Sequence, residues 1–181
     1  MNKILFVRHG KSTANVAGTI GLPDTLLSYE GIEQARITGQ DLKSQNVTAI
    51  VCSPFLRAQQ TAEIIAGEIG IPLENIVVID ELHERRMGEL EGLPKDHESA
   101  FFIENDTDFG FESQADLIAR LTVALDKVKK IATETAGTTV VVGHAASGLY
   151  FLQIAKGKRL FQDFEPADQM KNAEFVEVQL T

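Results

Sequence analysis

Four short groups of chemically capable residues follow apolar runs along the chain: Arg8-His9-Gly10, Ser53 with Arg57, His83-Glu84-Arg85-Arg86, and Gly143-His144. An arginine fork pairs with two oxygens of one anion. A neutral imidazole nitrogen can attack an electrophile in line. A carboxyl group can protonate a leaving alkoxide and later deprotonate water. Phosphoryl transfer uses this set together, because the equatorial oxygens of a phosphate ester need fixed cations and donors while one side chain attacks. Gly10 and Gly143 are expected to let the backbone come close to a ligand.

These groups act together only if the fold brings them to one place. Ile4–Val7, Ala49–Cys52, Ile76–Ile79 and Val140–Val142 are short, β-branched-rich runs that read as buried strands. Helix-period stripes lie between them. Ile32, Ala35, Gly39 and Leu42 follow Ser28 as N-cap, Ala58, Ala62, Ile65 and Ile69 precede Gly70, and Leu117, Leu121, Ala124, Val128 and Ile131 form a longer stripe. Ser113 and Asp116 resemble a capping box with Asp in place of Glu, and Gly137 is expected to close that helix. A further helix starts near Ser147, and Glu174–Leu180 alternates like an edge strand. Strand alternating with helix predicts an α/β sheet covered on both faces, and such sheets bind ligands at the carboxyl ends of their strands, where the four groups fall. Residues 88–112, with Pro94 and a mix of acidic residues and Phe, read as an excursion or lid over the site within a single domain spanning 1–181.

Composition narrows the partners. At 181 residues, 44% apolar and 24% charged, the chain suits one ordinary globular domain. The net charge of −9 disfavours nucleic acid and anionic membrane surfaces, so an anion site must be a local positive pocket in a negative body. No apolar run is long enough to span a membrane. The short N-terminal apolar run reads as a first strand and not as a secretion signal. Cys52 stands alone, which excludes an internal disulfide and fits a cytoplasmic location. Nothing in the sequence indicates an oligomeric state.

Five blocks, in order, resemble the histidine phosphatase superfamily, in its phosphoglycerate-mutase-like branch. They are Arg8-His9-Gly10-Lys11-Ser12-Thr13-Ala14-Asn15, residues 24–31 with Gln34-Ala35, Ser53-Pro54-Phe55-Leu56-Arg57-Ala58, Leu82 to Gly88 with Glu91-Gly92, and Glu112-Ser113 followed by Val142-Gly143-His144. The resemblance implies a three-layer α/β/α sandwich whose central sheet is mostly parallel with an antiparallel edge strand. It implies a phosphohistidine at His9, with Arg8, Arg57 and His144 holding the phosphoryl oxygens and Glu84 as proton donor. Ser12, Asn15 and Ala145 would support substrate binding. It implies no metal and no organic cofactor, and a small-molecule phosphate ester as substrate.

Some positions depart from the family pattern. Lys11 stands where Glu is commonest and is expected to add positive charge beside the pocket. Residues 18–23 lack the usual Arg, and Ala145 replaces the Asp that a sister branch uses as acid, which strengthens Glu84 over Glu81 and Glu89. Only about 60 residues separate Glu84 from His144, and they carry Glu98, Glu104, Asp106 and Asp108 where a mutase has a basic insertion. Water is therefore expected to take the phosphoryl group, as in a phosphoric monoester hydrolase. The alternatives are a mutase-type phosphotransferase and a non-catalytic module that binds a phosphorylated ligand. A P-loop is disfavoured because Leu5 stands where the first glycine must be. A metal site of His9, His144 and Glu84 is disfavoured by the neighbouring Arg8 and Arg57. Arg85 and Arg86 read as surface charges, His83 and His97 as solvated, and Cys52 as a packed thiol. Phe101, Phe102, Phe109 and Phe111 either line the pocket or pack the excursion onto the body.

Overall fold

The structure, a computed structural model, describes residues 3–95, 110–157 and 170–179. Strands β1 (Lys3–Arg8), β2 (Val47–Cys52), β3 (Ile76–Val78), β4 (Thr138–Gly143) and β5 (Phe175–Gln179) form one sheet in the order β3-β2-β4-β1-β5. All neighbours pair in parallel except β5, which runs antiparallel along the edge of β1. The helices are α1 (Thr13–Ala17), α2 (Tyr29–Leu42), α3 (Leu56–Ile69), α4 (Gln114–Thr135) and α5 (Ala146–Ala155). Among the described residues no helix is long and apolar enough to cross a membrane.

The continuous apolar runs of β1, β2 and β4 are explained by burial on both sheet faces, whereas β3, expected to be buried, is an edge strand that leaves Val77 and Val78 exposed. Leu5, Val7, Ile50, Cys52, Val140 and Val142 pack with Leu42 of α2 and Ala58, Ala62 and Ile65 of α3. Ile4, Phe6, Val51 and Val141 face the other way, against Leu117, Leu121 and Val128 of α4 and Phe151 and Leu152 of α5. Two helices therefore cover each face of the sheet, which is the three-layer sandwich expected. Each stripe read from the sequence is the inward side of its helix. Ser28 caps α2 by accepting from the Gly31 N–H at 3.1 Å, and Gly70 ends α3 in the left-handed region at φ 80°.

Two local expectations are corrected. Ala136, not Gly137, takes the left-handed position after α4. Gly137 is instead required by space, because a Cβ there would meet the Thr48 side chain at 2.3 Å. Gly10 and Gly143 are likewise required by packing: a Cβ on Gly10 would lie 2.4 Å from the Gly31 carbonyl oxygen, and one on Gly143 would lie 2.7 Å from the Phe6 ring. Ser113 caps α4 through the Asp116 N–H, but Asp116 returns its carboxylate to the Ser113 hydroxyl at 2.7 Å.

Most of the 88–112 excursion, including His97, Glu98, Phe101, Phe102, Glu104, Asp106, Asp108 and Phe109, lies outside the described residues. Its two ends fold back on the body. Thr19 bridges to Pro94 and Met87 to Phe111, and Ile20, Met87 and Phe111 bury a small cluster beside the strand ends.

Candidate active site

The loops leaving β1, β4, β2 and the turn after β3 stay in register beyond the strands. The His9 N–H donates to the Gly143 carbonyl, Ser53 N–H to Val142, and Ile79 N–H to Cys52, each at 2.9 Å. A single pocket results, lined by Arg8, His9, Ser12, Asn15, Arg57, Glu84 and Ala145, together with Ile20, Gly21, Phe55, Arg85, Met87, Glu91 and Lys95. Of Glu81, Glu84 and Glu89, Glu84 alone lines it. Glu81 is paired with Lys127 at 2.6 Å, and Glu89 is exposed.

His9 is buried, and its Nδ1 lies 2.7 Å from the Gly10 carbonyl oxygen. A carbonyl only accepts, so Nδ1 carries the hydrogen and Nε2 holds the lone pair. The Arg57 Nε–H donates to that Nε2 at 3.2 Å. Burial pushes the imidazole well below its ordinary pKa, and His144, Arg57 and Arg8 push it further; the Gly10 carbonyl opposes them. His9 is thus a neutral imidazole aimed into a cationic pocket. Arg57 is buried at the start of α3, donates through Nη1 to the Leu22 carbonyl at 2.8 Å, and lies over the Phe55 ring at 5.1 Å. Arg8 reaches the Met170 carbonyl through Nη1.

His144 sits behind this wall. Its ring is fully buried, edge-on to His9 at 5.2 Å, with Nε2 2.6 Å from the Ser53 hydroxyl and Nδ1 without a partner among the described residues. Burial, then Arg57, keeps it neutral at ordinary pH. Ser12 caps α1, and its hydroxyl and N–H both donate to Asn15 Oδ1 at 3.0 Å.

The Glu84 carboxylate lies across the start of α5. Oε2 accepts from the Ala145 and Ala146 N–H groups at 3.1 and 3.2 Å, and Oε1 from Ser147 and Arg85 at 2.7 and 2.9 Å. Burial alone would raise this carboxyl, but those donors and the Arg57 charge outweigh it and hold the group below the usual range. Glu84 therefore rests as an anion on a helix N-terminus.

Several sequence readings change. Lys11 turns outward and pairs with Glu30 at 2.8 Å, so its charge is not spent on the pocket. Arg85 is buried at the pocket wall and is not a surface charge. His83 is not freely solvated: it stacks on Phe55 at 6.0 Å, and its Nδ1 meets the Glu84 carbonyl at 2.7 Å. The stretch at residues 18–23 still serves the site, through Ile20 and Gly21 in the wall and the Leu22 carbonyl on Arg57. Sequence reasoning missed Lys95, Phe55 and Asn172. Lys95 adds a cation to the pocket, its ammonium pushed below its ordinary value by burial and by Arg8. Asn172 donates to the His9 carbonyl at 3.0 Å. The Pro-Lys step at 94–95 and the Ser-Pro-Phe run at 53–55 were the available signals; Asn172 had none.

Known proteins resemble this chain along most of its length. A Bacillus subtilis protein named "Uncharacterized phosphatase PhoE" is 32% identical over 148 residues, 81% of this chain and 74% of that protein. A Yersinia pestis protein named "Probable phosphoglycerate mutase GpmB" is 39% identical over 97 residues, 53% of this chain and 44% of that protein. The solved structure of a mycobacterial glucosyl-3-phosphoglycerate phosphatase superposes with a TM-score of 0.81 at 23% identity, covering 98% of this chain and 90% of that one. The family pattern of the histidine phosphatases itself matches residues 4–181, and the chain belongs to the histidine phosphatase superfamily, branch 1.

Proposed function

We propose that this protein is a phosphoric monoester hydrolase that acts on small-molecule esters through a phosphohistidine at His9. The observation that carries the reading is the orientation of that imidazole. Its Nδ1–H is tied to the Gly10 carbonyl, so the lone pair on Nε2 faces a pocket walled by Arg8 and Arg57. In the first step Nε2 forms a bond to phosphorus, the ester P–O bond breaks, and Glu84 gives its proton to the leaving oxygen. In the second step water attacks phosphorus, Glu84 takes a proton from that water, the P–N bond breaks, and inorganic phosphate leaves. Arg8 and Arg57 hold the equatorial oxygens through both steps, Asn15 and Ser12 line the same pocket, and the Ala145 N–H offers a further donor. His144, whose expected place on the phosphoryl oxygens is outside the pocket lining, supports the His9 ring from behind.

Glu84 is an anion in the free protein, which suits it to the second step. An arriving phosphoryl group competes for the same N–H donors and adds negative charge nearby. Both effects raise the carboxyl and place a proton on it for the first step. The local cations Arg8, Arg57, Arg85 and Lys95 make an anion-attracting pocket in a chain of net charge −9.

The test is turnover of p-nitrophenyl phosphate with mass spectrometry of acid-sensitive phosphate on the quenched chain. His9→Ala is expected to abolish both phosphate release and the label. A label on another side chain, or turnover undiminished in His9→Ala, would overturn the reading. Label without release to water, discharged only on addition of a second alcohol, would favour a mutase-type transferase. Tight phosphate binding with neither label nor release would favour a binding module.

A further inference from the structure

The turn that carries Glu84 is held from outside the pocket. Arg120 projects from α4, and none of its guanidinium lines the catalytic pocket. Its Nη1 donates to the carbonyls of Glu81 and His83 at 2.6 and 2.9 Å, and Nη2 donates to the Glu84 carbonyl at 3.3 Å. The remaining donors meet Glu112: Nε to Oε1 at 2.5 Å and Nη2 to Oε2 at 2.8 Å. The five N–H donors of a guanidinium are thereby all used.

Glu112 completes the clamp on the far side. Its N–H donates to the Arg86 carbonyl at 3.0 Å, its Oε2 accepts from the Arg86 N–H at 3.3 Å, and its carbonyl accepts from Arg85 Nε at 3.1 Å. The backbone of residues 83, 84 and 86 and the side chain of Arg85 are thus bonded to one of these two residues, on the strand-end turn whose side chain at 84 must reach α5. The pair is largely withdrawn from solvent, with side chains 13% and 9% exposed, so solvent screening does little to loosen it.

We infer that Arg120 and Glu112 are positioning residues for proton transfer: they fix the backbone of residues 81–86 so that the Glu84 carboxyl meets the leaving oxygen. The inference rests on Glu84 being the proton donor proposed above. A lysine at 120 keeps the charge but supplies one centre and three donors, so it cannot hold three carbonyls and a carboxylate in one plane. Because Glu84 acts on the leaving group and not on the phosphoryl oxygens, a loosened turn harms reactions that need a proton and spares those that do not. A purely structural pair would slow all substrates alike.

The experiment compares the full-length chain with Arg120→Lys, Glu112→Gln, Glu84→Gln and the double variant Arg120→Lys/Glu84→Gln. Rates are measured on glycerol 2-phosphate, an alkyl ester, and p-nitrophenyl phosphate, an aryl ester. Arg120→Lys and Glu112→Gln are expected to slow the alkyl ester by roughly ten- to a hundredfold, the scale of an ångström of misplacement, and the aryl ester far less. Added to Glu84→Gln, Arg120→Lys is expected to cost little more, since the group it positions is already gone. Equal slowing of both esters, no slowing of either, or fully additive losses would overturn the inference. Failure of both single variants to fold in thermal melts would also overturn it, by assigning the pair to stability. A wild-type chain inactive on both esters would overturn the phosphohistidine reading instead.

Discussion

Replacing Arg57 with alanine separates two effects that the structure joins in one side chain. The guanidinium donates to His9 Nε2 at 3.2 Å and to the Leu22 carbonyl at 2.8 Å, and it is a fixed charge beside the nitrogen proposed to attack. Loss of one preorganised donor to a developing oxyanion costs about 3–4 kcal/mol, so kcat/KM for p-nitrophenyl phosphate is expected to fall roughly 10²–10³-fold. The lost bond to Leu22 costs about 1 kcal/mol of stability on top of the cavity left behind, which a melt must register without unfolding the chain at assay temperature. The pH profile carries the sharper content. Burial lowers the His9 pKa most, then His144, then Arg57. Removing Arg57 removes one lowering charge, so the imidazole moves back toward its ordinary value. The nucleophile must be neutral, and a raised pKa leaves more of it protonated at a given acid pH. The acid limb of kcat/KM in Arg57→Ala is therefore expected at higher pH than in the wild type, which stays active well below pH 6.5, the ordinary histidine value that the burial depresses. A variant within a few-fold of wild-type activity, or an acid limb that stays put or moves to lower pH, refutes the reasoning.

Two further predictions concern the frame of the site. Glu84→Gln turns part of an all-accepting group into a donor that faces backbone N–H groups, so it is expected to lower the melting temperature at pH 7. The folded-state pKa of Glu84 is depressed. Its contribution is therefore fully present above the unfolded carboxyl value of about 4.3 and is lost as pH falls through the folded value. The gap between wild type and Glu84→Gln should narrow between pH 7 and 3 in calorimetry, and a constant gap would contradict this. Gly10→Ala drives a Cβ to 2.4 Å from the Gly31 carbonyl oxygen, backbone against backbone. It is expected to cost about 1–3 kcal/mol or more and several degrees of melting temperature; a melt indistinguishable from wild type would show that the loop yields freely.

The sequence by itself determined most of the elements and their inward faces, α1 and the exposed face of β3 excepted, because burial on a sheet or a helix imposes a short, local period that one side chain after another obeys. Leu5 and Val7 against Ile4 and Phe6, the stripe from Leu117 to Val128, and the caps at Ser28 and Gly70 all belong to that class. It also showed that Arg8-His9, Arg57, Glu84 and His144 follow strands, so a parallel sheet had to gather them at one rim. What only the tertiary structure decided is how each group is held. Glu84 lies across the N-terminus of α5, sixty-odd residues onward; Arg120 clamps a turn on another element; Lys95 enters the pocket while Lys11 leaves it for Glu30. Charged side chains are long, flexible and indifferent to periodicity, and their partners are set by which backbone donors and carbonyls the finished fold leaves open. The same holds for Gly10, Gly137 and Gly143, whose missing Cβ answers to a neighbour distant in sequence, at a distance no local pattern encodes.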